Sequence, residues 1–501
     1  MAADTVSHQL LNVVAHQKNR YHEQWFGKSS CVLVVEKLIT PDGKKAKRVL
    51  KNVDPTVRYH ITAPAHQAAQ THAELAVEIS KCVPYESKIE DLVLHVAQLT
   101  GQERYYEEVR GPGQNRRRAV IHDHPFAHGS DVNLVDHYID RYMEHFKSSL
   151  DMVSPLDLAF ADIEVDPVEH RGFPDERDAP CPVSLITYLH APSKKVTQFA
   201  LRKTVRDNPQ IAEFESELPA YQTWLLCEAN RTPLARAGMV GEGADWTDIA
   251  AALGLDPMTG EETDVATDGW QHARCRAVTV RFYDSEVDLI LDFLHLVNEL
   301  DRPDAICWWN MAFDANTLMN RLRRLGVDPE DAFTPKDFHP WTLADYQYDT
   351  FNTEPTERSD TFNVASYTLW VDQMLLYAQL RKQSGKKESY GLDFTLRSEI
   401  GESKVEYEGS IRDLSYRDFP AFMLYGLMDV VPMATLEEKT EDIALAYQLS
   451  MMTRTRFNKV LKKTICLRNL AAVFYRERGL ALSNNRNRNK ERTDTAKFQG
   501  A

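Results

Sequence analysis

At 501 residues the chain is long enough for more than one domain, and 43% hydrophobic and 10% aromatic content suffice for real cores. The net charge of -15 argues against a polyanionic partner for the chain as a whole, and no apolar run approaches a membrane span. Met1 to Arg20 is polar with no signal-peptide core, and the seven cysteines include no C-x-x-C pair, which excludes a disulfide framework or zinc site of recognisable pattern and fits a soluble, reducing compartment.

Val32 to Glu36 and Val49 to Val57, joined through Pro41-Asp42-Gly43, predict a β-hairpin. Glu74 to Lys81 and Lys88 to Leu99 read as helix or mixed segments, and Gly111-Pro112-Gly113 as a loop. Asp131 to Leu150 has helical spacing and leads into Phe160-Ala-Asp-Ile-Glu-Val165, an apolar run that predicts a buried strand opening into the polar loop Asp166 to Asp178. Pro182 to Leu189 and Val196 to Leu201 extend it as an antiparallel meander. Arg202 to Gln271 is polar and reads as an insertion with helices at Ile211 to Asn230 and Trp246 to Leu253. A strand at Ala277 to Phe282, an amphipathic helix at Asp284 to Leu300 and a short strand at Ala305 to Trp309 follow. Next come a basic helix over Asn316 to Leu325, an exposed hairpin over Asp345 to Tyr367, and helices at Thr368 to Leu380 and Leu392 to Ile400. Asp418 to Thr440 predicts a long helix with a kink at Pro432, and Asp442 to Val460 and Lys463 to Arg476 close the helical part.

Three pieces carry chemistry. Strand alternation puts Asp162 and Glu164 on one face, where their mutual repulsion and burial are relieved by a hard divalent cation. An isolated Asp-x-Glu is most often a solvated strand end. In Asn310-Met-Ala-Phe-Asp314 a strand delivers its end residues to the sheet edge. Asn310 can hydrogen-bond a nucleotide, Phe313 can wedge against a base and Asp314 can reach a metal. In Tyr425-Gly-Leu-Met-Asp429 helical spacing puts a phenol and a carboxylate on one face, although such a pair is most often a surface feature. The three in this order are a far stronger signal than any one. Basic clusters lie at Arg116-Arg117-Arg118 and in the last fifty-one residues, where thirteen Lys/Arg stand against three Asp/Glu.

These motifs resemble the three exonuclease motifs of DEDD-type 3′→5′ exonucleases with a tyrosine in the third, and more narrowly the proofreading region of phage-type family B DNA polymerases. Arg302 to Asn310 resembles the family's strand into the second motif, and Val32 to Tyr59 its N-terminal domain. The resemblance implies an α/β (α+β) class: an RNase H-like exonuclease domain over 151–444, a small α+β N-terminal domain over 1–150, and a helical, basic segment over 445–501 returning to it. It implies two Mg²⁺ ions, replaceable by Mn²⁺, on Asp162, Glu164, Asp314 and Asp429, with Tyr425 positioning the attacking water. Asn310 and Phe313 become substrate contacts, and 345–367 the hairpin that parts primer from template. Implied partners are single-stranded and primer–template DNA, a palm-containing polymerase subunit and, through it, a sliding clamp; the implied location is cytoplasmic, in the host if viral.

The family's palm motifs are absent, so the chain by itself is not expected to extend a primer. Either the sequence is a truncated piece or the polymerase is encoded in two, and a split enzyme is the reading adopted. The alternatives are a free-standing single-strand nuclease, against which the N-terminal and basic C-terminal segments count, and a non-catalytic DNA-binding or assembly subunit, against which the four carboxylates and the tyrosine count.

Overall fold

A computed structural model describes residues 6–16, 29–70, 75–108, 120–131, 133–203, 205–241, 243–265 and 267–484. The chain is mixed α/β with several separate sheets. It divides into two compact units, one from Met1–Met152 with Leu449–Ala501, the other Val153–Gln448. The glycine loop at 111–113, the arginine cluster at 116–118 and the basic run after Asn484 lie outside the described residues.

In the first unit, β1 (Ser7–His16), β2 (Cys31–Ile39) and β3 (Lys45–Val53) form an antiparallel sheet. The hairpin falls at Asp42-Gly43, where Gly43 has φ 79°, a left-handed conformation that glycine adopts without a Cβ penalty. The second strand of that hairpin stops at Val53, because Asp54 turns the chain at φ 52°. A separate strand, β4 (Thr56–Thr62), pairs with β6 (Cys82–Lys88) and β7 (Ala127–His128), while β5 (Ala76–Glu78) lies between them in sequence. The mixed reading of 74–99 thus resolves into two strands, a 3₁₀ turn and a helix over Leu92–Leu99. Chain from the far end completes this unit. Leu480–Leu482 pairs with β5, Asn484 Oδ1 accepts the Ser130 N–H at 2.9 Å, and Arg454 and Arg476 both pair with Asp140 and Glu144 on helix Leu134–His145.

The second unit is built on a six-stranded sheet of β8 (Leu158–Val165), β9 (Val183–His190), β10 (Lys195–Leu201), β11 (Ala277–Tyr283), β12 (Ala305–Trp308) and β15 (Leu369–Asp372). Its order is β11-β10-β9-β8-β12-β15; β9 runs antiparallel to both neighbours and the other adjacent pairs are parallel. One face of β8, through Ala159, Ala161 and Ile163, joins the main core with Leu289, Phe293, Trp308, Leu318 and Trp370. The opposite face, with Phe160, Asp162 and Glu164, lies toward helix Phe419–Thr440.

That helix is capped by Asp418, whose side chain accepts the Ala421 N–H at 3.0 Å. It is long and apolar enough to cross a membrane by composition, contrary to the expectation that no such run exists. Its apolar residues are instead largely buried in the fold, among them Phe422, Met423, Leu427 and Val430. Gly426 packs closely against β9. A Cβ there would stand 2.6 Å from Leu185 Cδ2 and 3.1 Å from Thr187 Oγ1. Gly426→Val is therefore expected to destabilise the protein by about 1–3 kcal/mol, although glycine is the poorer helix former. Urea unfolding checks this; an unchanged midpoint would mean that the space is not filled.

Four further elements differ from the sequence expectations. The helix expected from Asn316 begins at Met311. The helix expected from Thr368 is preceded by strand β15, and Asp372 caps the helix Gln373–Leu380 that follows. The hairpin expected to be exposed is β13 (Ala344–Gln347) paired with β14 (Thr361–Val364), and it buries Tyr346, Phe362 and Val364 in the core; its loop is exposed, with Phe351 at 94%. The helix expected over Asp442 to Val460 stops at Thr453, where Arg454 turns the chain at φ 51°.

Candidate metal centre

Strand alternation along β8 directs Asp162 and Glu164 to the face covered by helix Phe419–Thr440. Asp429, about three turns into that helix, joins them. One ligand oxygen from each of Asp162, Glu164 and Asp429 can be chosen so that all three lie within 4.8 Å of one another. Asp314 lies outside this trio but lines the same cavity of about 500 Å³, as do Asn310, Phe313 and Tyr425. It comes from the first turn of helix Met311–Arg324 rather than from a strand end, and its carboxylate accepts the Ile163 N–H from β8. Three stretches separated by more than a hundred residues each thus meet at one sheet edge.

The electrostatics are those of crowded carboxylates. Burial, then the neighbouring Asp429, pushes Asp162 up to about 7. Burial and repulsion from Asp162 raise Glu164 and Asp314 as well. Burial also raises Asp429, opposed by Lys404, whose Nζ lies 2.6 Å from Asp429 Oδ2. The other carboxylate oxygen, Asp429 Oδ1, is buried with no hydrogen-bond partner among the described residues. Such an oxygen is costly to bury unless a cation or donor meets it. Hard carboxylate oxygens converging from one strand and one helix, with one oxygen unpaired, fit a divalent cation.

Tyr425 lies beside the cluster. Its hydroxyl is 3.3 Å from Lys404 Nζ, its ring meets Tyr407 edge-on at 5.5 Å, and burial raises its pKa. At the cavity mouth Phe313 faces Phe173, ring centroids 5.5 Å apart, and Phe173 is 81% exposed. Asn310 is exposed just ahead of the helix, and its side chain makes no capping bond.

Lys404, Phe173 and Arg412 line this cavity but were not expected from the sequence. Lys404 lies in a stretch of loop between two glycines, with no periodicity to mark it. Phe173 did leave a signal, a lone aromatic flanked by Gly172 and Pro174 in an otherwise charged loop.

No protein-family model matches this chain, and no curated protein matches it.

Proposed function

We propose that this chain is a metal-dependent 3′→5′ exonuclease acting on single-stranded DNA, with an RNase H-like catalytic domain, and that it has the proofreading role of the exonuclease region of a family B DNA polymerase. The observation that carries the reading is the convergence of Asp162, Glu164, Asp314, Tyr425 and Asp429 on one cavity. A mixed sheet whose central strand bears the first acidic pair is consistent with the RNase H-like assignment.

Asp162, Glu164, Asp314 and Asp429 would hold two Mg²⁺ or Mn²⁺ ions. Bound there, such ions would supply a water of lowered pKa and charge stabilisation for the leaving oxygen of a phosphodiester. The rest falls to the chain itself. The Tyr425 hydroxyl, which lines the same cavity, would orient that water by hydrogen bonding. Lys404 neutralises one of the four carboxylates and holds Asp429 in place. Phe313 and Phe173 offer ring faces and edges on which an unpaired base stacks, and such stacking is tolerant of sequence. Asn310, exposed beside them, can hydrogen-bond the same nucleotide.

The test uses a 5′-labelled single-stranded oligonucleotide. A ladder of products shortened from the 3′ end is expected with Mg²⁺ and none with EDTA. Internal cuts, or digestion that EDTA leaves unchanged, would sink the reading.

A further inference from the structure

The ions proposed above would neutralise the four carboxylates lining this cavity, and a strand phosphate beyond their reach would be met by a cationic side chain at the entrance. Two cationic side chains line the cavity, Lys404 and Arg412. Lys404 is committed to Asp429. Arg412, on the single turn Ile411–Asp413, is bonded differently. Its Nη1 donates to Gly172 O at 3.2 Å, and its Nη2 to Pro167 O at 3.0 Å and to His170 O. Those three carbonyls belong to the loop that carries Phe173. Carbonyls hold the guanidinium without neutralising it, and no carboxylate pairs with it among the described residues. A guanidinium has five N–H donors, and the Nε donor makes no bond among the described residues. The far end of the loop is held separately, where Asn320 Nδ2 and Arg324 Nη1 donate to Glu176 O and Asp178 O at 2.9 Å each.

We infer that Arg412 is a substrate-binding residue that contacts a backbone phosphate of the incoming strand while its other donors fix the loop that presents Phe173. This rests on the nuclease reading above. A fixed charge beside the aromatic pair Phe173–Phe313 gives a strand one phosphate contact and one stacking contact at the same entrance. Arginine suits the double role, because its planar fork can bond carbonyls on one edge and phosphate on another.

The experiment measures affinity for a labelled oligothymidylate across a salt series, with Ca²⁺ in place of Mg²⁺. Wild type, Arg412→Gln and Arg412→Lys are compared. Loss of one phosphate contact on a single strand lowers the slope of log affinity against log salt by about 0.7. Arg412→Gln should therefore bind more weakly at low salt, with the gap to wild type narrowing about 2.5-fold over a fourfold rise in salt. Arg412→Lys keeps the charge and should keep the wild-type slope. A weaker Arg412→Gln with an unchanged slope means that the residue only braces the loop, and overturns the inference while leaving the nuclease reading intact. A wild type that neither binds nor degrades the strand overturns both. Oligonucleotides with single methylphosphonate linkages give an independent reading on wild type and Arg412→Lys, whatever the folding of the glutamine variant. One linkage near the 3′ end should cost both proteins affinity, and indifference to every such linkage overturns the inference.

Discussion

Replacing Asp162 with alanine is expected to cut the rate of 3′-end digestion about a thousandfold without lowering the thermal stability of the metal-free protein at neutral pH. The two halves of that result have one cause. Asp162 sits on the central strand at the meeting point of the other acids, and its pKa is pushed up to about 7 by burial and by Asp429. Its ionised form is thus held in an unfavourable place by the rest of the fold. Removing the carboxylate relieves that repulsion and should leave the melting temperature equal or higher. The same removal takes away a ligand that Glu164 and Asp429 cannot replace, since each is fixed by its own strand or helix. Charge stabilisation by a metal of several kcal/mol corresponds to about three orders of magnitude in rate. Single-turnover digestion of a 5′-labelled strand, with melting measured in EDTA, checks both halves. Retained activity would remove Asp162 from the metal site, and a large drop in melting temperature would make its role one of folding.

The second large effect is a stabilisation by Mg²⁺ or Mn²⁺ that grows with pH. Asp162 has a folded pKa of about 7 against about 3.9 for an unperturbed Asp in an unfolded chain. Below about pH 4 both states hold the proton, and above about pH 7 neither does. Between them the folded state binds more protons, so the metal-free protein loses this part of its stability as pH rises through the window. Glu164, Asp314 and Asp429 are shifted the same way and add to it. A cation needs these groups ionised, so its binding competes with protons and strengthens over the same window. At a hundredfold excess over its dissociation constant, a bound ion stabilises by about 2.7 kcal/mol. The rise in melting temperature on adding excess metal should be several degrees near pH 8 and close to zero near pH 5. An equal rise at both would place the binding elsewhere, or show that these carboxylates are already ionised at the lower pH. Asp429→Asn should shrink the rise at the higher pH, because it takes away one charge and the unpaired oxygen.

Much of the site is local in origin and so can be read along the chain. The facing of Asp162 and Glu164 follows from strand alternation alone, and that of Tyr425 and Asp429 from the pitch of a helix. Asp418 and Gly401 end their helices by short-range rules, as a side-chain cap and a left-handed residue. Where two kinds of element follow each other closely, the pattern has no answer: Leu369–Val371 is separated from Gln373–Leu380 by Asp372 alone, and sheet pairing with β12 is what makes the first part a strand rather than the helix's first turn. The start of helix Met311–Arg324 was hidden for a like reason, since the apolar run of β12 continues through Trp309 to within one residue of it. Lys404 and Arg412 are decided by tertiary structure altogether. Nothing near either in sequence says that one will end 2.6 Å from Asp429 and the other against the loop after β8. Their positions come from how the chain between Ile400 and Asp418 folds back across the sheet edge, and the charges they meet there come from strands and helices formed elsewhere. Periodicity and spacing thus determined which face each carboxylate occupies, and long-range packing decided which cations share it.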